Sequence, residues 1–235
     1  MKLAFALAPV FVCLTLSAQQ QSAPSEQELQ KQEQSQRILG VVPMFGTTSR
    51  SDAAPLTAAQ KFTLFRKSAF DPVEFPIFAL QAGISQSQNE FPGYGQGAQG
   101  YGKRFGATMA DSVSSNFFSN YAYPALLRED PRYFRSGTGP VRRRIAHALA
   151  QEFTARRDST GRFSFNYANL LGAFSSGGLS NLYYPSSDRG FGLTMSRSVI
   201  QLGYGSLGGL VSEFWPDVQM RISRRKRTAV QTGDR

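Results

Sequence analysis

Apolar positions along this chain recur mostly at intervals of three and four, which predicts a mainly helical protein. Thr57 is placed to cap a helix through Ala69, along which Phe62, Phe65, Arg66 and Ala69 share helical spacing before Asp71-Pro72 stops it. A second helix is expected from Pro72 to Gln86, because proline is tolerated in a first turn, although Pro76 can delay its start. After a Gly- and Pro-rich loop, one long helix is expected from Gln99 to Leu127. A small-residue stripe, Ala98, Gly102, Gly106, Ala110 and Ser114, runs along it beside a large one, Tyr101, Phe105, Met109, Val113, Phe117 and Tyr121. Each interior glycine costs about 1 kcal/mol of helix propensity, so close packing of a neighbouring helix is the expected compensation. Ala168, Gly172, Ser176 and Ser180 repeat the small stripe on a helix from about Tyr167 to Tyr184. Gly205 and Gly209 give a shorter version from roughly Gly192 to Phe214.

Between these an amphipathic helix is expected from Pro140 to Arg157, with Val141, Ile145, Leu149 and Phe153 on one face and Arg142, Arg143, Arg144, Glu152, Arg156 and Arg157 largely elsewhere. Phe163, Phe165 and Tyr167 alternate after a turn-like Asp-Ser-Thr-Gly, the strongest strand signal in the chain. These elements predict one mainly α domain over residues 38–219, a bundle of about five or six helices packed through Gly/Ala/Ser faces. An outer-membrane β-barrel is the alternative, disfavoured by the helical period and the charged end. No run of about twenty apolar residues remains beyond the N-terminus to form an ordinary transmembrane helix. Asp111, Ser112, Asn116 and Asn120 nevertheless put a polar row on the long helix that suits a polar interior within a membrane assembly.

The N-terminus sets the compartment. Lys2, an apolar run from Leu3 to Leu16 and small residues at Ser17-Ala18 read as a secretory signal cleaved after Ala18, giving a signal segment 1–18. Residues 19–37, rich in Gln, Ser and Glu, read as a flexible lead-in. Cys13 is the single cysteine and falls within that signal, so an exported mature chain has no thiol chemistry. Export points to the periplasm or cell envelope. The net charge of +10 is concentrated at the end, where Arg221, Arg224, Arg225, Lys226 and Arg227 occupy a basic tail, residues 220–235, expected to lack order. In an exported protein such a tail favours anionic lipid or an acidic envelope polymer over nucleic acid. Trp215, just before it, suits a bilayer surface.

Catalytic signals are weak. Gly95 to Gly100 has GxGxxG spacing without a preceding strand, and Gly97 to Arg104 resembles a P-loop but ends in Arg where a hydroxyl should bind magnesium. His147, the single histidine, stands three and four residues from Arg144 and Arg143. Asp71 with Glu74, and Glu129 with Asp130, are local carboxylate pairs without the separate-element geometry of a glycosidase. No catalytic residue, metal or cofactor is assigned. The expectation is a non-enzymatic envelope protein that associates with a membrane surface or with copies of itself through helix faces. The alternative is a cofactor-free hydrolase of envelope glycan or lipid.

Overall fold

The structure, a computed structural model, describes residues 46–233, together with 25, 28, 29, 31, 37, 38 and 42–44; side chains are described through Ile222, except those of residues 37, 38, 42 and 43. The expected signal segment and most of the lead-in lie outside the described residues. The fold is mainly helical, with little sheet and no closed barrel among the described residues, so the barrel alternative is set aside.

Helix α1 (Ala58–Ala69) opens on a capping box, in which the Thr57 side chain accepts from the Gln60 N–H while the Gln60 side chain accepts from the Thr57 N–H. Asp71 then starts helix α2 (Glu74–Ser87) by accepting from the Val73 N–H at 2.9 Å. Helix α3 (Gly97–Phe117) passes through a π turn at Phe118–Ala122 into the short helix α4 (Tyr123–Leu127). Pro124 accounts for the turn. It has no N–H to offer the carbonyl four residues back and its ring crowds that carbonyl, so the chain widens there instead of breaking.

Helix α5 (Val141–Ala150) ends earlier than its apolar period implies, and residues through Arg157 form a strand instead. The cause is tertiary. Strand β6 (Thr154–Arg157) pairs antiparallel with both β4 (Glu129–Asp130) and β7 (Phe163–Phe165), and Gly161, at φ +66°, closes the β6–β7 hairpin. Ahead of these, β1 (Arg37–Ile38) pairs with β2 (Val42–Pro43), and β3 (Thr47–Thr48) runs parallel to β5 (Tyr133–Phe134). Helix α6 (Tyr167–Leu179) begins at Asn166, whose side chain accepts from the Asn169 N–H. Helix α7 (Phe191–Gly233) is the longest element, and its backbone continues through the basic segment expected to lack order.

The interior is unusually polar. Among the described residues 17 apolar side chains are buried, eight of them alanine, while 27 large apolar side chains are exposed. Lys61, Asp71, Arg104, Glu129, Asp130, Arg132, Arg144 and Glu213 are all buried. Water-soluble folds rarely bury such groups without partners, and here the partners are present. Arg104 donates to the carbonyls of Glu90 and Gly95 at 2.6 and 2.7 Å, Arg132 to Asp130 at 2.7 Å, and Lys61 to Asp158. Helix α5 is the clearest inversion. Its predicted apolar face looks outward, with Val141 60% exposed and Ile145 and Leu149 beside it, while Arg144 and Ala148 face in.

Candidate functional site

The polar interior encloses a cavity of about 890 Å³. One wall is the polar row of α3 and its π turn, including Ser112, Asn116 and Asn120; the adjoining wall, which meets it at Ser119, is built from Glu152, Asn169 on α6 and Gln201 on α7. Hydrogen bonds order each wall, and one joins them. Asn120 donates to Asn116 at 2.7 Å, Asn116 to the Ser112 carbonyl at 2.9 Å, and Gln201 to the Ser119 hydroxyl at 3.1 Å. Asn169 donates to a Glu152 carboxylate oxygen at 2.6 Å and to the Glu152 carbonyl at 3.1 Å.

Glu152 lies in the turn after α5, one position past Gln151, and its carboxylate rests on the backbone of α7. A Cβ at Gly205 would fall against both carboxylate oxygens, so the absent side chain is what admits the acid. Among the described residues no cation lies within ion-pair reach of it. Burial pushes its pKa up to about 6 from the ordinary 4.5, opposed by the Asn169 hydrogen bond. A carboxylate raised on folding takes up protons in the folded state between about pH 4.5 and 6. Its ionisation therefore costs stability as pH rises through that window, and the full cost applies above it, about 2 kcal/mol. Glu152→Gln is accordingly expected to be more stable than wild type at pH 8 and equal to it near pH 4, a difference that paired thermal melts across this range will measure.

At one end of the cavity Asp111 accepts from the hydroxyls of Tyr183 at 2.6 Å and Tyr184 at 2.7 Å. Arg197 stands 3.7 Å from the same carboxylate, with Phe91 and Tyr184 within cation–π range. Burial raises the Asp111 pKa, while the two hydroxyls and Arg197 oppose the rise. Outside the cavity lining, Glu213 is fully buried, accepting from the Tyr133 hydroxyl, the N–H groups of Ser136 and Gly137, and Arg144.

The small residues separate into two groups. Ala168, Gly172 and Ser176 are buried along α6, as is Ser180 just past its end; a Cβ at Gly172 would collide with Ser119, and Ser176 bonds to Ser114 at 2.9 Å. On α7, Gly205 faces Glu152 and Gly209 faces the Ala148 carbonyl. On α3 the expected close approach is corrected. Ala98, Gly102 and Gly106 are exposed, Ala110 is partly buried, and a Cβ at either glycine would meet no atom within 4 Å. The helix is rotated because Arg104 and Ala107 occupy its inner face, and the backbone contact moves to Gly100, against Gly95.

No family model, curated protein or solved structure matches this chain. Its chemistry rests on the geometry.

Trp215 is partly buried, with its indole N–H unpartnered, and Arg221 is exposed. The side chains of Arg224, Arg225, Lys226 and Arg227 lie outside the described residues. Three acids of the local pairs have structural partners: Asp71 accepts from the Val73 N–H just ahead of α2, Asp130 holds Arg132, and Glu129 accepts from the Ala168 N–H at 2.9 Å. His147 Nε2 sits 2.9 Å from the Phe134 carbonyl oxygen. Glu152, Asn169 and Gln201 are the residues the sequence did not single out. The available signal was the Ser112/Asn116/Asn120 row, which marks one wall only.

Proposed function

We propose that this is an exported, non-enzymatic cell-envelope protein that seats the apolar outer faces of its helices in a membrane surface. One observation carries the reading: α7 presents Ile200, Tyr204, Leu207, Val211 and Val218 outward, while Ser198, Gly205, Gly209 and Glu213 face the protein. That helix leads into Arg221, Arg224, Arg225, Lys226 and Arg227, and α5 sets exposed Arg142 and Arg143 beside its outward Val141 and Ile145. An apolar stripe with adjoining cations suits acyl chains below anionic headgroups. No helix among the described residues is long and apolar enough to cross a membrane, which favours an interfacial position.

A second reading has its own support. With Phe214 included, the α7 stripe alternates steps of four and three residues, the spacing of a helix seam, and so suits self-association. The lipid reading is preferred because exposed apolar side chains also occupy α1, α2, α4, α5, α6 and β7, more than one seam covers.

Vesicle flotation tests this. The chain is expected to float with phosphatidylglycerol-containing vesicles, to bind neutral vesicles more weakly, and to be released only in part by high salt. Leu207→Glu with Val211→Glu should cut partitioning by about tenfold or more, since each apolar side chain withdrawn from lipid forfeits roughly 1.5 kcal/mol or more. A chain that ignores vesicles and sediments as a defined oligomer would establish the seam reading instead; a monomer that ignores vesicles would overturn both.

A further inference from the structure

The cavity carries a charge opposite to that of the chain. The sequence has a net charge of +10, yet the cavity wall holds six carboxylates, those of Glu74, Glu90, Asp111, Glu129, Asp130 and Glu152, against three arginines. Those arginines are engaged within the protein: Arg132 is clamped to Asp130, Arg197 faces Asp111 between two aromatic rings, and Arg104 is bound to backbone carbonyls.

The neutral groups show the same bias. The side-chain N–H groups of Asn120, Asn169 and Gln201 donate to Asn116, Glu152 and Ser119. Their amide oxygens, with the second carboxylate oxygen of Glu152, make no hydrogen bond among the described residues. These acceptors belong to one locality. Glu152 touches Asn169 and Gly205; Gln201, one turn before Gly205, bonds Ser119; and Ser119 meets Gly172, three residues after Asn169. The result is a wall that accepts hydrogen bonds around one carboxylate lacking a cation.

We infer that this cavity binds a small solute bearing a primary ammonium group, a diamine or polyamine, anchored by Glu152 and received by the oxygens of Asn120, Asn169 and Gln201. An ammonium group has three donors and no acceptor, the complement of this wall. The volume falls within the range of small-molecule sites, about 300–1,000 Å³. No group of three or more His, Cys, Asp or Glu side chains suited to a metal ion occurs among the described residues, so the arrangement favours an ammonium over a divalent cation. The inference rests on the interior alone and does not require the membrane reading.

The test is isothermal calorimetry of the full chain with putrescine, with 1,4-butanediol and calcium chloride as counter-probes. Saturable putrescine binding is expected, with no binding of the diol and no displacement by calcium at equal concentration. Glu152→Gln should weaken binding by about tenfold or more, since hydrogen bonds to charged groups are worth roughly 1.5–3 kcal/mol. Gly205→Ala provides a second variant, because the three atoms its Cβ would meet most closely are all at the movable end of the Glu152 side chain, so the carboxylate is displaced while the fold remains. Both variants should float with vesicles as wild type does, which separates this result from the membrane test. Absence of putrescine binding, equal binding by folded Glu152→Gln, equal binding of the diol, or displacement by calcium would each overturn the inference.

Discussion

Glu213→Ala is expected to destabilise the fold by about 3–5 kcal/mol, the cost of removing the buried partner of Arg144, which keeps only the part-exposed Asp217, and of stripping two loop N–H groups of their acceptor. Against a typical total of roughly 5–15 kcal/mol, that is a large share of the stability. Glu213 is 0% exposed and joins three parts of the chain. Its carboxylate accepts from Arg144 on α5 at 2.7 Å, from the Tyr133 hydroxyl at 2.8 Å and from the N–H groups of Gly137 and Ser136 at 2.9 and 3.0 Å. Its carbonyl receives Arg144 and Arg135, and the same two arginines reach Asp217 one turn on, each at 2.6 Å. Burial alone would raise both acids; Arg144 together with the loop N–H groups for Glu213, and Arg144 with Arg135 for Asp217, hold them below their ordinary values. Their contribution is therefore complete above the unfolded carboxylate range and is lost as pH falls through the lowered folded-state values. Denaturant unfolding at pH 7 measures the loss. Glu213→Gln should lie between wild type and alanine, since the amide keeps an acceptor but no charge. If Glu213→Ala unfolds within 1 kcal/mol of wild type, the network does not hold α7 to α5.

The same network explains what the sequence could and could not disclose. Local chemistry was legible: Thr57 starts α1, Asp71-Pro72 separates α1 from α2, and the small residues of α6 lie along one face. Periodicity marks a stripe, however, and not the direction in which it faces. Val141, Ile145 and Leu149 form a regular apolar face, yet they point outward because Arg144, on the opposite side, meets an acid 69 residues away. The end of α5 was hidden for a similar reason, since Arg156 and Arg157 pair with Asp130 and Glu129 across β6 and β4. The cavity was half legible. Ser112, Asn116 and Asn120 announce a polar wall on one helix, whereas Glu152, Asn169 and Gln201 come from a turn and two helices and form no motif in linear order.

Adjacent glycines in α6 are expected to respond to alanine with opposite signs, and the larger of the two effects tests how closely α6 and α7 pack. A Cβ at Gly177 would lie 2.5 Å from the Thr194 carbonyl oxygen, 2.6 Å from the Ser198 hydroxyl and 3.3 Å from the Ser198 N–H. Two of these are backbone atoms of α7, where Ser198 is already fixed by hydrogen bonds to the carbonyls of Ala173 at 3.0 Å and Thr194 at 2.7 Å. Rotamer change cannot relieve such a contact, so the helices must separate. Gly177→Ala should cost about 1–3 kcal/mol and Gly177→Val more, as overpacking of a tight interface does. A Cβ at exposed Gly178 meets no atom within 4 Å. There alanine removes the entropic cost of a helical glycine and should stabilise by about 0.5–1 kcal/mol. Thermal melts of the two single variants decide the matter, because helix propensity predicts the same gain for both and only the α6–α7 contact reverses one of them. Equal stabilisation by both would mean that the helices stand further apart than this packing requires. A loss at Gly177 alone would show that the small-residue face of α6 is where α7, with its outward apolar stripe and its inward Gln201 and Glu213, is docked.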